Sequence, residues 1–395
     1  MSTFAIANAF IVPIAGEKFT GTLLVKDGLI AALGPDLPVP GDTPVFDAEG
    51  AWLLPGFIDA HVHLGMHPEG EHEAGSDVNE MTDPNMAAVR AIDAIDPFDP
   101  GFDDALAGGV TTVNVNPGSG NPIGGQTVAI HTHGRYVDEM VLRAPSGIKS
   151  ALGENPKRIH GAKDKTPSTR LGNAMVIRQA FIEAQNYLAA NDPAKRDAKL
   201  EALGMVLRRE IPWRQHCHRA DDVATALRLA AEFGYDLVLD HGTEAHVIAD
   251  VVAARNVPVL IGPLFTTKSK VELRGRSLAN PRRLAEAGVE ISIITDHPVV
   301  PINFLIHQCT LAVKEGLDAD TALRAVTLNP AKVLGLAGKL GSLEAGKDAD
   351  LVLWSGDPLD VMSRAVRVWI GGKQVMEYDA ATRTPVVASR KVVPE

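Results

Sequence analysis

The sequence predicts an α/β protein: a closed (β/α)8 TIM-like barrel with a small β-sandwich domain formed by both chain ends. Two observations lead to this prediction. In the middle of the chain, short apolar runs alternate with segments of helical periodicity, which is typical of a parallel sheet covered by helices. At both ends, short strand-like runs are separated by tight turns, without helical segments between them.

The two chain ends share one strand-and-turn pattern. Strands are predicted at 4–11, 20–26 and 29–33, with Asp27-Gly28 as a hairpin turn, and at 349–354, 365–370 and 373–376, with Gly371-Gly372 as the turn. Neither end has enough strand for a stable sheet alone. We therefore expect one composite domain of residues 1–54 and 336–395, and a barrel of residues 55–335.

The middle of the chain contains eight candidate strands and at least five amphipathic segments. The strands are 56–63, 110–116, 127–131, 147–153, 213–218, 237–241, 257–261 and 289–295; the helical segments are 170–190, 194–209, 220–233, 245–255 and 320–328. Eight strands alternating with helices imply a closed barrel, whose catalytic groups lie at the carboxyl ends of the strands. The third strand is ambiguous, because residues 118–144 also fit a β-hairpin insertion.

Composition limits the class of protein and its partners. The 395 residues are 45% hydrophobic and 22% charged, as in ordinary globular proteins. The net charge of −11 argues against nucleic acid and anionic membranes as partners. Two cysteines indicate a reducing compartment, and neither a signal peptide nor an apolar run of about 20 residues is recognised. We expect a cytoplasmic protein that acts on a small molecule. The sequence leaves a homo-oligomer open.

The most informative motif is a His-x-His pair in the first barrel strand. Strand alternation predicts that Asp59, His61 and His63 share one face. Two neighbouring imidazoles make half of a divalent-metal site. An isolated pair is weak evidence, but His216 and His241 each end another apolar run. These four histidines predict a metal centre at the carboxyl ends of the strands.

Two further strand ends supply candidate chemistry. Alternation places His216 and His218 on one face; we prefer His216 as a metal ligand, and His218 as a catalytic group near the substrate. Asp296 ends an apolar strand, so it can bind metal and accept a proton. The alternative is that Asp296 only forms the turn before His297-Pro298.

The segment 148–156 offers two more candidate ligands. Glu154 lies where the predicted strand ends, in the layer of the other ligands. Lys149 lies at the start of the predicted strand 147–153, near the closed end of the barrel. We therefore predict Glu154 as the ligand.

A Gly-rich segment follows the second barrel strand. Residues 117–126, which end at Gln126, either wrap a substrate carboxylate with backbone N–H groups or form a flexible turn. The segment is not a phosphate-binding motif, because no helix begins at the required spacing. Gln126 and His218 are accordingly predicted to contact the substrate.

The chain resembles the amidohydrolase superfamily, in its imidazolonepropionase-like and dipeptidase-like branch. The resemblance rests on residues 55–63, on Thr295-Asp296 and on the returning strand 341–354, and it extends from about residue 5 to 380. It implies one or two metal ions held by five residues: His61, His63, His216, His241 and Asp296. In binuclear members a carboxylated lysine or a glutamate bridges the ions; here the matching region supplies Glu154, with Lys149 less well placed.

One departure from the family concerns the substrate. Deaminases and imidazolonepropionases of the superfamily usually carry a glutamate three residues after the fifth-strand histidine, where this chain has Arg219. Arg219 argues against both activities and, with the Gly-rich segment, predicts a carboxylate-bearing substrate such as an N-acyl amino acid, a dipeptide or a cyclic amide.

These observations predict a metal-dependent hydrolase of amide C–N bonds. The residue types favour zinc, with Fe2+ or Mn2+ as alternatives. A metal lowers the pKa of water toward about 7, and Asp296 would be the general base, with His218 beside the oxyanion. The alternatives are an aminohydrolase (deaminase) acting on a heterocycle and a non-enzymatic barrel paralogue. All five core ligand positions are filled, which disfavours the paralogue.

Overall fold

The structure, a computed structural model, describes residues 3–68 and 72–390. Within these ranges the strands form two sheets, one of eight strands and one of nine. The strands are β1 (Phe4–Ile11), β2 (Phe19–Lys26), β3 (Leu29–Gly34), β4 (Val45–Asp47), β5 (Trp52–Pro55), β6 (Phe57–Val62), β7 (Val110–Val115), β8 (Ile123–His131), β9 (Val141–Ala151), β10 (Trp213–Cys217), β11 (Leu237–His241), β12 (Val259–Ile261), β13 (Ile291–Ile293), β14 (Leu351–Trp354), β15 (Ala365–Ile370), β16 (Lys373–Asp379) and β17 (Thr384–Val387).

The helices lie mainly between the barrel strands. They are α1 (Gly101–Ala107), α2 (Val137–Met140), α3 (Glu154–Gly161), α4 (Arg170–Ala190), α5 (Ala198–Leu207), α6 (Ala220–Phe233), α7 (Ala249–Ala253), α8 (Asn280–Glu286), α9 (Leu305–Lys314), α10 (Ala319–Arg324) and α11 (Leu328–Val333). The predicted helix at 170–190 is confirmed as α4, which begins after Thr169, whose hydroxyl accepts the N–H of Gly172. The segment predicted as one helix at 245–255 is instead a 3-10 turn followed by α7.

The eight strands β6 to β13 form a nearly closed barrel in chain order, which confirms the predicted barrel. Strands β9 to β13 are parallel to one another, and β6 is parallel to β7. The third strand, β8, runs antiparallel to both of its neighbours. The expected all-parallel sheet is therefore wrong at β8, and the β-hairpin alternative is correct. The connection 116–122 is too short for the crossover that a parallel pair needs.

The barrel seam between β6 and β13 is bridged by a side chain. The carboxylate of Asp59 accepts hydrogen bonds from the backbone N–H of Thr295 at 3.0 Å and from its hydroxyl at 2.5 Å. The N–H of His63 also donates to the carbonyl of His297 at 2.9 Å. These contacts hold the first strand against the end of the last one, and so place the residues that follow Thr295 beside the His-x-His pair.

Strands from both chain ends combine into the nine-stranded sheet. β14 pairs antiparallel with β5, with Leu353 opposite Leu53, and β1 pairs parallel with β5. Ile6, Leu23 and Leu351 contribute to a separate buried apolar cluster there. The predicted β-sandwich is not confirmed, because hydrogen bonds join these strands into one continuous sheet. The division at residues 54 and 336 stays a prediction.

The terminal sheet contacts the amino end of the barrel. His131, at the end of β8, places Nε2 3.0 Å from a carboxylate oxygen of Asp350. The rings of Phe57 and Trp354 lie 5.2 Å apart. The second His-x-His motif, at His131 and His133, thus belongs to this junction; His133 contacts the carbonyl of Ala388. Over the described residues, no helix has the length and apolar character needed to cross a membrane.

Candidate active site

The predicted site residues meet in a cavity of about 760 Å³ at the carboxyl ends of the barrel strands. This volume suits a small-molecule ligand. The cavity is lined by His61, His63, Val78, Asn79, Gly118, Ser119, Lys149, His216, His218, His241, Pro263, Phe265, Thr266, Thr267, Ser269, Lys270, Leu273, Asp296 and Val299. The structure therefore brings together the four imidazoles and the carboxylate that the sequence proposed as ligands.

Asp296 lies between the two histidines of the first strand. Its Oδ1 is 3.3 Å from Nε2 of His61 and 3.3 Å from Nε2 of His63. The three groups can each offer one ligand atom, and those atoms lie within 4.8 Å of one another. Nδ1 of His63 donates to the carbonyl of Asn116 at 2.7 Å, which leaves Nε2 as the ligand atom. This grouping is suited to a divalent cation.

Three more imidazoles complete the cluster. The ring centroid of His241 lies 4.5 Å from that of His216, 4.9 Å from that of His218 and 5.0 Å from that of His61. His241 and His218 are held through Nδ1 by the Gly262 carbonyl and by the Thr243 hydroxyl. His216 is 4% exposed and neither of its nitrogens has a hydrogen-bond partner among the described residues. Because buried polar atoms are rarely left unpaired, the donor set fits a bound metal ion.

The protonation states suit metal ligands. Burial is the main cause that lowers the pKa of His216 and His218 well below the usual range, and it lowers the pKa of His241 to about 3. Burial alone would raise the pKa of Asp296, but His241, His61 and His63 together hold it well below its ordinary value. At neutral pH these three imidazoles are thus neutral and Asp296 is ionised, which are the forms that coordinate cations.

Two of these residues have left-handed backbone conformations. His241 has φ of 72° and Asp296 has φ of 56°, both in a region that residues with a Cβ rarely adopt. Strand alternation would place Asp240 and His241 on opposite faces, yet both contact His61. The left-handed conformation explains how two consecutive residues reach one cluster. Such strain concentrates at functional sites.

The position predicted for Lys149 is wrong. The strand that carries it, β9, begins at Val141 and ends at Ala151, so Lys149 lies near its carboxyl end. Its Nζ is fully buried, 3.2 Å from Nε2 of His61 and 3.0 Å from a carboxylate oxygen of Asp240. Lys149 therefore lies in the cluster at the carboxyl ends of the strands, and not near the closed end of the barrel.

The structure does not bring Glu154 into the cluster. Glu154 begins α3 beyond the end of β9, and it is absent from the described residues that line the cavity. Its backbone N–H donates to the buried carboxylate of Glu272 at 2.7 Å, and that carboxylate also accepts from Arg170. Of the two candidates, the structure places Lys149 and not Glu154 in the cavity lining, because β9 ends before Glu154.

The two other predicted substrate contacts also lie elsewhere. Arg219 precedes α6 and pairs with Asp221 at 2.7 Å, outside the cavity lining. Gln126 lies in β8 and donates to the carbonyl of Ala87 at 3.3 Å. The Gly-rich segment reaches the cavity through Gly118 and Ser119, but the N–H groups of Gly118 and Gly120 donate to Val78 and Asn79. Of the predicted substrate contacts, His218 lines the cavity.

The first barrel strand also departs from strict alternation. Its register with β7 shifts between Asp59 and Val62. Asp59 bonds to Thr295 at the seam, whereas His61 and His63 line the cavity. The expectation that Asp59 shares their face is therefore wrong, because the register shift separates them.

Sequence reasoning missed two residues near the cluster. Asp240 is fully buried and contacts His61, Lys149 and the guanidinium of Arg214. The sequence does contain a signal for Asp240: it is a carboxylate within the apolar run 237–241, and a buried carboxylate has to be paired. Lys270 lines the cavity from the loop after β12 and has no comparable sequence signal.

The chain is similar in sequence and fold to known proteins. A model of the amidohydrolase family matches residues 52–376. The amidohydrolase tasK of Hapsidospora irregularis is 30% identical over 95% of this chain, which spans 42% of that relative's length. The imidazolonepropionase of Rhizobium meliloti (strain 1021) is 27% identical, over 87% of each chain. The crystal structure of an amidohydrolase from Thermotoga maritima MSB8 is 43% identical, with a TM-score of 0.93, over 95% of this chain and 100% of that one.

The fold and the site define a barrel protein with a histidine-rich cavity at the carboxyl ends of its strands. The family match covers most of the chain. The chain belongs to the amidohydrolase family, and the resemblance found in its sequence is confirmed.

Proposed function

We propose that this protein is a metal-dependent hydrolase of an amide C–N bond in a small molecule. The observation that supports this most is the buried cluster of His61, His63, His216, His241 and Asp296, in which both nitrogens of His216 lack a protein partner among the described residues. These five residues would hold one or two divalent cations. Zinc suits the mixture of imidazole and carboxylate, and Fe2+ or Mn2+ would also fit.

When bound, the metal supplies Lewis-acid polarisation of the amide carbonyl and lowers the pKa of water toward about 7. Asp296 is the general base: its carboxylate is ionised and lies at the centre of the cluster, where it can accept a proton from water. The same carboxyl group then delivers that proton to the leaving nitrogen, since the amine must be neutralised as the C–N bond breaks.

His218 is the candidate donor to the oxyanion. Its Nδ1 contacts the Thr243 hydroxyl at 2.8 Å, and its ring lies 4.7 Å from that of His216. When the threonine hydroxyl donates to Nδ1, the neutral ring carries its hydrogen on Nε2. A preorganised donor of this kind stabilises the negative charge that develops on the carbonyl oxygen.

Lys149 replaces Glu154 as the candidate bridging residue. An ammonium group cannot coordinate a cation, so this role requires carboxylation of Nζ by CO2, as the family resemblance implies. The position of Nζ, 3.2 Å from His61, supports it. Asp240 holds the amine in place at 3.0 Å.

The proposed function is tested by metal analysis and a substrate screen. The purified chain is freed of metal with a chelator and reconstituted with Zn2+, Mn2+ or Fe2+, and hydrolysis of N-acyl amino acids, dipeptides and lactams is measured. We expect one or two ions per chain and activity that returns only with metal. The variant His216→Ala should lose both the bound metal and the activity. The control His133→Gln, in the second His-x-His motif, should keep the metal and the activity. Full activity of the metal-free chain would refute the proposal.

A further inference from the structure

The cavity has a second polar region, on the loop between β12 and α8. Lys270, Ser269 and Thr266 line the cavity from this loop, and Asn79 and Ser119 also line it. These side chains are distinct from the proposed metal ligands. The region therefore faces whatever part of the substrate extends beyond the scissile amide.

The ammonium group of Lys270 is supported by a buried amide. Its Nζ donates to Oδ1 of Asn155 at 2.9 Å, and Asn155 is 7% exposed. Nδ2 of Asn155 donates in turn to the hydroxyl of Ser119 at 2.7 Å. Because an ammonium has three N–H donors, this contact leaves two of them for a ligand. The ammonium group is thus held at the cavity wall while two of its N–H donors stay available to a ligand.

Among the described residues, no carboxylate neutralises the charge of Lys270. Within residues 3–68 and 72–390, no carboxylate oxygen forms a salt bridge with its Nζ. Glu272, two residues further on, is buried against Arg170. Asp296 is the one carboxylate among the described lining residues, and it lies with His61 and His63.

We propose that Lys270 is a specificity-determining residue that binds a carboxylate of the substrate. This inference rests on the proposed function and deepens it. An ammonium held at a cavity wall and lacking a carboxylate partner favours an anionic group through charge-assisted hydrogen bonds. Lys270 thereby takes the role that the sequence suggested for Arg219, which pairs with Asp221 instead. Phe265, Leu273 and Val78 line the same cavity and would contact an apolar part of the substrate.

Binding is tested with a matched pair of ligands, N-acetyl-leucine and N-acetyl-leucinamide, which differ in the carboxylate. Isothermal titration uses the metal-loaded Asp296→Asn protein, so that slow turnover does not distort the measurement. We expect the acid to bind at least about 10-fold more tightly than the amide, and Lys270→Met to remove this preference. Lys270→Arg should restore part of it. Lys268→Met is the matched control, because Lys268 is exposed two residues away and donates to the carbonyl of Arg274.

The second test measures kcat/KM on two substrates. They are the best carboxylate-bearing substrate of the screen and the corresponding neutral carboxamide. For Lys270→Met we expect kcat/KM on the acid to fall about 10- to 100-fold, mainly through KM, and kcat/KM on the carboxamide to change less than about 3-fold. Equal losses of kcat/KM on both substrates would overturn the proposal, and so would equal binding of the acid and the amide. Loss of hydrolysis with the acid preference intact would count against the proposed function alone.

Discussion

Asp240 holds His61 from behind: its Oδ2 lies 3.0 Å from Nδ1 of His61, on the side of the ring away from Asp296. The same oxygen lies 3.0 Å from Nζ of Lys149, and Oδ1 lies 3.4 Å from the guanidinium of Arg214. One carboxylate therefore contacts both a proposed ligand and a proposed bridging residue. Partners of this kind orient metal ligands and raise their basicity.

The first prediction follows from this contact. Asp240→Asn should weaken metal binding by about 10- to 100-fold, since loss of the charge leaves His61 less basic and less well oriented. Metal affinity is measured by competition with a chromophoric chelator. Asp236→Asn is the control, because Asp236 is exposed just before β11. Unchanged affinity in a folded Asp240→Asn protein would show that Asp240 only neutralises Lys149 and Arg214.

The second prediction separates Lys149 from Glu154. Lys149→Met should lose metal and reduce activity at least about 100-fold, because Lys149 contacts His61 inside the cluster. Glu154→Gln should keep activity within about 3-fold, since its backbone N–H, not its side chain, contacts Glu272. Native mass spectrometry of the wild type should show a mass increment of one CO2 that disappears in Lys149→Met. Retained metal in Lys149→Met and lost metal in Glu154→Gln would restore the original assignment.

The third prediction concerns Asp296 as the general base. For Asp296→Asn, kcat should fall by about 10²- to 10⁴-fold at saturating metal, because Asn cannot accept the proton. Saturating metal is required, since Asp296 also contacts His61 and His63 and its loss weakens coordination. Metal content and kcat are measured on the same preparation. If turnover stays near normal, Asp296 serves only as the turn before His297-Pro298.

The sequence predicts the position of the proposed ligands well, because each of them lies at the end of an apolar run. The length of each run and its alternation with helical segments identify it as a barrel strand, and so set where its end lies. His61, His63, His216, His241 and Asp296 all line one cavity, as expected. Strand alternation alone does not explain why His241 and Asp296 line the cavity, however. Both reach the cavity from left-handed conformations, which the tertiary fold imposes and no local pattern reveals.

The errors have equally physical causes. The predicted start of this strand, at residue 147, is too late, because β9 begins at Val141 and continues through Pro145, although proline ordinarily weakens a strand. Pairing with β8 over Val141 to Ser150 forms the strand nevertheless, and moves Lys149 to its carboxyl end. Lys270 could not be found from the sequence, because its position depends on the contact of a long loop with Asn155, a partner distant in the chain.

The last prediction uses the junction between barrel and terminal sheet. Burial alone would lower the pKa of His131, but the charge of Asp350 and its contact with the ring, together with Asp348, raise the pKa above 6.5. Histidine with a raised pKa in the folded state stabilises the protein fully below pH 6.5, and this contribution is lost as the pH rises through the folded-state pKa. Wild type should therefore lose stability relative to His131→Gln as the pH rises from about 6.5 through the folded-state pKa.

His133 provides the control with the opposite sign. Burial, followed by the charges of Arg390 and Lys373, lowers the pKa of His133. Relative to His133→Gln, wild type should gain stability as the pH rises toward 6.5, because the unfolded chain then releases the proton that the folded chain does not bind. Urea unfolding midpoints of wild type, His131→Gln and His133→Gln are measured as a function of pH. The difference between wild type and each variant gives the slope of stability against pH for each histidine. Slopes of the same sign for the two variants would show that Asp350 does not hold His131 as a charged partner.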